Sequence, residues 1–68
     1  MDYNFSDDLK AIREILGYIQ FEMAKQIGVE QVTISRNELR KTKPSSQLMD
    51  RVYNFAFDKK IQLNRLKE

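Results

Sequence analysis

The chain contains no cysteine and no histidine. The first absence excludes a disulfide framework, and the two together remove the usual ligands of a zinc site, so no metal and no cofactor is expected. No apolar run reaches the length of a membrane span or of a signal peptide's core, which makes a soluble protein without a membrane partner the expectation. Charge of one sign is also missing: 12 basic residues face 10 acidic ones, for a net charge of +2. The molecule is therefore not a polycation, and the placement of its charges matters more than their total. With 68 residues, the chain is expected to form one domain spanning 1–68, at the lower edge of what a single core stabilises alone. Tight helix packing or a partner subunit must supply the rest.

What is present is helical patterning. Asp2, Asp7 and Asp8 load the N-terminus with negative charge, whereas Arg36, Arg40, Lys41 and Lys43 face only Glu38 in the stretch 36–43. Residues 1–5 read as a short arm, with Tyr3 and Phe5 available to pack on the body. Ser6 is placed to cap a first helix over 7–16, Asp7 and Asp8 suit its positive end, and Leu9, Ile12 and Leu16 mark its apolar face. Gly17 closes that helix, and Tyr18 is expected to turn into the core. A second helix starts near Gln20, with Met23, Ala24 and Ile27 on its inner face. Gly28 can take the left-handed conformation that a helix end needs.

The third helix is expected over 31–39, with Glu30 at or just before its start and Ile34 turned inward. The unit 20–39 thus reads as two short helices around a tight turn, the pattern of a helix-turn-helix. Its outward side offers Gln31, Val32, Thr33 and Arg36, groups that suit base edges in the DNA major groove. A glutamine amide pairs with the N6 and N7 edge of adenine, a valine meets a thymine methyl, a threonine bonds a base or a phosphate, and an arginine reaches guanine or a phosphate. Gln20 can offer its amide to a phosphate at the start of the second helix. Arg40, Lys41 and Lys43 form a basic loop suited to neutralising phosphates without reading sequence.

Gln20, Ala24, Gly28-Val29, Thr33-Ile34-Ser35-Arg36, Glu38 and the run from Lys41 to Pro44-Ser45 resemble the XRE family of phage-repressor and Cro-like DNA-binding domains. Leu9, Ile12, Arg13 and Gly17 extend the likeness upstream, so that it covers roughly 9–45. The resemblance implies an all-α, lambda-repressor-like bundle of about five short helices. It also implies a bacterial or phage-encoded, nucleoid-associated cytoplasmic repressor of transcription that binds double-stranded DNA. It further implies an ion pair between Arg13 and Glu38 that orients the reading helix. Three positions depart from the family's pattern. Ile19 stands where a Ser or Thr cap is usual, so packing is expected to replace capping. Asn37 stands where an apolar or aromatic residue is usual, leaving the core one side chain short. Leu39-Arg40 replaces Asn-Gly, although a non-glycine residue resists positive φ.

Beyond Pro44, Ser45 or Ser46 is placed to cap a fourth helix with Leu48, Val52, Phe55 and Ala56 on its inner face. Met49, Tyr53 and Phe57 form a second apolar stripe, more than a small domain needs to bury, and are expected to form a homodimer or partner interface. Ile61, Leu63 and Leu66 suggest a short last helix. An enzyme is not expected, because the carboxylates are scattered over predicted helix surfaces with too little chain to build a pocket. The rival reading is a protein-interaction module, or an antitoxin-like partner protein, that keeps the helix-turn-helix for its fold and binds through the aromatic stripe.

Overall fold

A computed structural model describes residues 5–61, which form four α-helices with no strand among them. These are α1 (Phe5–Leu16), α2 (Gln20–Ile27), α3 (Gln31–Glu38) and α4 (Ser46–Asp58). The expected boundaries of the second and third helices are met to within a residue, and the first helix begins two residues earlier than expected. Phe5 is its first residue and is buried. It belongs to the core, not to an arm, and extends the Leu9 and Ile12 face by one turn. Ser6 consequently lies inside α1 and does not cap it; its hydroxyl donates to the Asn37 carbonyl at the end of α3. Asp7 and Asp8 remain in the first turn.

The core is built from all four helices. Phe5, Leu9 and Ile12 of α1 meet Met23, Ala24 and Ile27 of α2, Ile34 of α3, and Leu48, Val52 and Ala56 of α4. Tyr18, Phe55 and Ile61 pack partly buried against this cluster. Helix α3 packs against α1 and α2, and α4 packs against the same two from another side. The rest of the expected fifth helix, including Leu63 and Leu66, lies outside the described residues.

All four helices stop in the same way, at a residue with positive φ followed by an amide that reaches back five residues. Gly17 and Gly28 do this for α1 and α2, and Arg40 (φ 61°) and Lys60 (φ 59°) do it for α3 and α4. The closing bonds are Tyr18 N–H to Arg13 O, Val29 N–H to Ala24 O, Lys41 N–H to Arg36 O and Ile61 N–H to Ala56 O. These satisfy carbonyls that a helix end would otherwise leave without partners. At Arg40 the expected resistance to positive φ gives way to this geometry. A side chain in that conformation costs about 1–2 kcal/mol, which the Lys41 N–H to Arg36 O bond, the Arg40 N–H to Asn37 O bond and a favourable cation at the helix C-terminus offset in part.

Helix starts are less uniform. Ser45 caps α4 as expected, its hydroxyl accepting from Leu48 N–H at 3.1 Å. Ile19 does not replace a cap by packing, because it is exposed. Instead the Glu22 carboxylate accepts from Ile19 N–H at 3.1 Å, which is the reciprocal half of a capping box and needs no hydroxyl at the cap. Glu30 precedes α3 without any side-chain cap.

Candidate nucleic-acid interface

Helix α3 is only eight residues long, too short to hold a fixed direction through its own backbone bonds. Its side chains fix it. Ile34, Asn37 and Glu38 are buried, and at about 100° per residue they share one side of the helix. The opposite side is open: Val32 and Arg36 lie one turn apart at its centre, with Gln31 and Leu39 flanking them, all exposed. Thr33 is half-buried and sits at the margin beside Asn37. Of the four residues expected to read bases, the structure groups Gln31, Val32 and Arg36 on solvent and turns Thr33 toward α4. Ser35, half-buried one turn after Gln31, adds a hydroxyl at the other margin. Its spacing of four from Gln31 was the available signal.

The bridge between Arg13 and Glu38 is present. Arg13 Nε meets Glu38 Oε2 at 2.7 Å and Nη2 meets Oε1 at 3.0 Å, a two-point contact. The third guanidinium nitrogen donates to Tyr18 O at 3.0 Å. The Glu38 side chain is 3% exposed and that of Arg13 18%. Hydrogen bonding to Glu38 raises the Arg13 pKa above its ordinary value, and burial opposes the shift without cancelling it. Gln20 Nε2 donates to the same Glu38 Oε1 at 3.1 Å. The carboxylate therefore ties α1, the α1 to α2 turn, the start of α2 and the end of α3 into one unit. This use of Gln20 is additional to any outward role for its amide, and no spacing in the sequence announces it.

Arg40, Lys41 and Lys43 are exposed in the loop after α3. Arg40 Nη2 also lies 3.1 Å from Asp7 Oδ2. Both side chains are largely in solvent, where such a pair contributes about 1 kcal/mol or less and is readily exchanged for another anion. Lys41 and Lys43 make no ion pair with another described residue.

The second apolar stripe of α4 is divided. Tyr53 is half-buried, stacks edge-on against Phe5 with ring centroids 5.8 Å apart, and donates its hydroxyl to Asp8. Met49 packs partly buried against the core. Phe57 alone of the three is exposed, at 80%. A continuous exposed stripe is thus not what α4 presents, because Phe5 and Asp8 in the first turn of α1 engage Tyr53.

Asn37 is 3% exposed. Its Nδ2 donates to Thr33 O at 2.8 Å, and its Oδ1 accepts no hydrogen bond among the described residues. Beside it is a cavity of about 240 Å³ lined by Val29, Thr33, Asn37, Lys43, Leu48 and Arg51, among others.

Among the described residues, no helix is long and apolar enough to cross a membrane. Compared with protein-family models, with curated proteins and with solved structures, the chain matches none.

Proposed function

We propose that the protein is a sequence-specific double-stranded-DNA-binding regulator of transcription, a repressor in the manner of the XRE family it resembles. In this reading α2, the turn 28–30 and α3 are a helix-turn-helix, and α3 enters the major groove. The observation that carries the reading is the outward face of α3. Gln31, Val32 and Arg36 are exposed together on a helix seated by the partly buried Arg13 to Glu38 contact, and exposed Lys41 and Lys43 follow it. A rigidly mounted short helix with hydrogen-bonding and methyl groups outward, flanked by cations, matches the division between base reading and phosphate positioning.

The test begins with selection of bound sites from random duplexes, followed by salt titrations on the enriched and a scrambled duplex. Gln31→Ala is expected to lose about 1–3 kcal/mol of discrimination at one position of each half-site. Lys41→Ala and Lys43→Ala should weaken both duplexes alike and flatten the salt dependence by roughly one unit per lost contact. No enriched site, or indistinguishable behaviour of the three variants, would refute the assignment.

One observation favours the rival, a protein-interaction module or antitoxin-like partner. Phe57 is 80% exposed at the end of α4, and a large apolar ring left in solvent suits contact with another protein. Binding to a protein that is insensitive to salt and lost in Phe57→Ser, with DNA binding absent, would select that reading.

A further inference from the structure

The stretch 23–49, which carries the proposed interface, holds five cations, Lys25, Arg36, Arg40, Lys41 and Lys43, and two carboxylates, Glu30 and Glu38. Glu38 is buried and engaged by Arg13 and Gln20. Glu30 is therefore the one exposed acid in that stretch. It ends the turn between α2 and α3, immediately before Gln31.

The fold makes no use of its carboxylate. The Glu30 backbone is extended (φ −81°, ψ 152°) and its carbonyl accepts from Thr33 N–H at 3.0 Å, so the main chain starts α3 as a cap residue does. The side chain makes no capping bond, and neither Lys41 nor Lys43 nor any other described cation pairs with it. A shorter Ser, Thr, Asp or Asn at this position suits the free amides of the first turn, and glutamate gives up that contact.

Against DNA the same group is unfavourable almost everywhere and favourable at one kind of base. Phosphates within a Debye length, about 10 Å at 0.1 M salt, repel it, and an ionised carboxylate only accepts hydrogen bonds. In the major groove guanine and thymine present acceptors, and adenine sets its N7 acceptor beside its N6 donor. Cytosine alone offers a donor, N4, with no acceptor on the same base edge.

We infer that Glu30 is a specificity-determining residue whose carboxylate accepts from the N4 amino group of a cytosine close to the base read by Gln31, and which repels duplexes that lack that cytosine. The inference rests on the DNA-binding reading and adds to it a required base and a residue that lowers binding to all other sequences. The Cα atoms of Glu30 and Gln31 are about 3.8 Å apart across one peptide, close to the roughly 3.4 Å between successive base pairs. The two contacts therefore fall within about two base pairs of each other.

The experiment uses the full chain and the site that the wild type enriches from random duplexes, with Glu30→Gln, Glu30→Ala and Gln31→Ala compared by fluorescence anisotropy at low and high salt. A C·G pair is expected within about two positions of the one that Gln31→Ala relaxes, and replacing it by T·A should weaken the wild type about tenfold. Glu30→Ala should no longer distinguish those two duplexes. Both Glu30 variants should bind a scrambled duplex about three- to tenfold more tightly than the wild type, with the larger gain at low salt. A glutamate that serves only the α3 dipole would instead lower the melting temperature when replaced and leave base preference unchanged, a result that overturns the inference. An enriched site with no cytosine in that window, discrimination that survives Glu30→Ala, or scrambled-duplex binding that rises in neither variant also overturns it, while DNA binding itself stands. Failure of the wild type to enrich any site removes the DNA-binding reading and this inference with it.

Discussion

Removing Arg13 tests how α3 is held. The Glu38 carboxylate receives two bonds from Arg13, at 2.7 and 3.0 Å, and one from Gln20, at 3.1 Å. Arg13→Ala leaves it with the Gln20 amide alone in a site where the side chain is 3% exposed. Stranding one partner of a buried pair costs about 3–5 kcal/mol. A domain of 68 residues has a total stability of roughly 3–10 kcal/mol at about 0.05–0.15 kcal/mol per residue, so the variant is expected to lose a third of its stability or more. Glu38→Gln should cost less, about 1–3 kcal/mol, because the Arg13 side chain is 18% exposed and can turn to water. An apolar pair, Arg13→Met with Glu38→Leu, removes both charges and is expected to fall within about 1–2 kcal/mol of the wild type. Urea denaturation followed by far-UV circular dichroism measures all three.

The sign of the pH dependence follows from Arg13. Its folded pKa is raised, so the stabilisation is complete below the unfolded pKa and is lost only as pH rises through the folded one. For an arginine that window lies far into alkali, and the Arg13 contribution should be constant between about pH 6 and 9. Arg13→Ala unfolding within about 0.5 kcal/mol of the wild type would show that the contact carries no stability. The view of α3 as a side-chain-mounted helix would fall with it.

Tyr53 sets a second pH dependence, because burial raises its pKa. Its contribution is present below the ordinary tyrosine value of about 10 and is lost as pH rises through the higher folded value, so Tyr53→Phe should lose about 1 kcal/mol near neutrality and show a shallower alkaline decline. Arg40→Gly should gain about 0.5–1 kcal/mol in thermal melts by relieving the positive φ of 61°, net of glycine's entropy and the exposed Asp7 contact. A loss would mean that the helix ending does not govern that position. If a homodimer forms through the C-terminal half, Phe57 is the large apolar side chain that α4 leaves exposed for it among the described residues. Phe57→Glu should then sediment as a monomer at concentrations where the wild type is dimeric, and a wild type that is monomeric both alone and on its site would remove the dimer from the reading.

The helices themselves were legible in the sequence because their causes are local. Periodic apolar residues set the inner faces, Gly17 and Gly28 ended two helices, and Ser45 started another. The Arg13 and Glu38 contact was foreseen from resemblance to a family, not from spacing, since 25 residues separate the partners. Tertiary structure decided what depends on residues remote in the chain. Phe5 entered the core because Tyr53, 48 positions later, offers it a ring to pack on. That contact, together with Asp8, took Tyr53 off the surface. Ser6 lost its role as a cap to the carbonyl of Asn37. Arg40 accepted a left-handed conformation because ending α3 requires one there, whatever residue occupies the position. Asn37 shows both levels at once: its departure from the family's apolar or aromatic residue could be read from the sequence, but only the tertiary structure buried it and left its Oδ1 without a hydrogen-bond partner among the described residues.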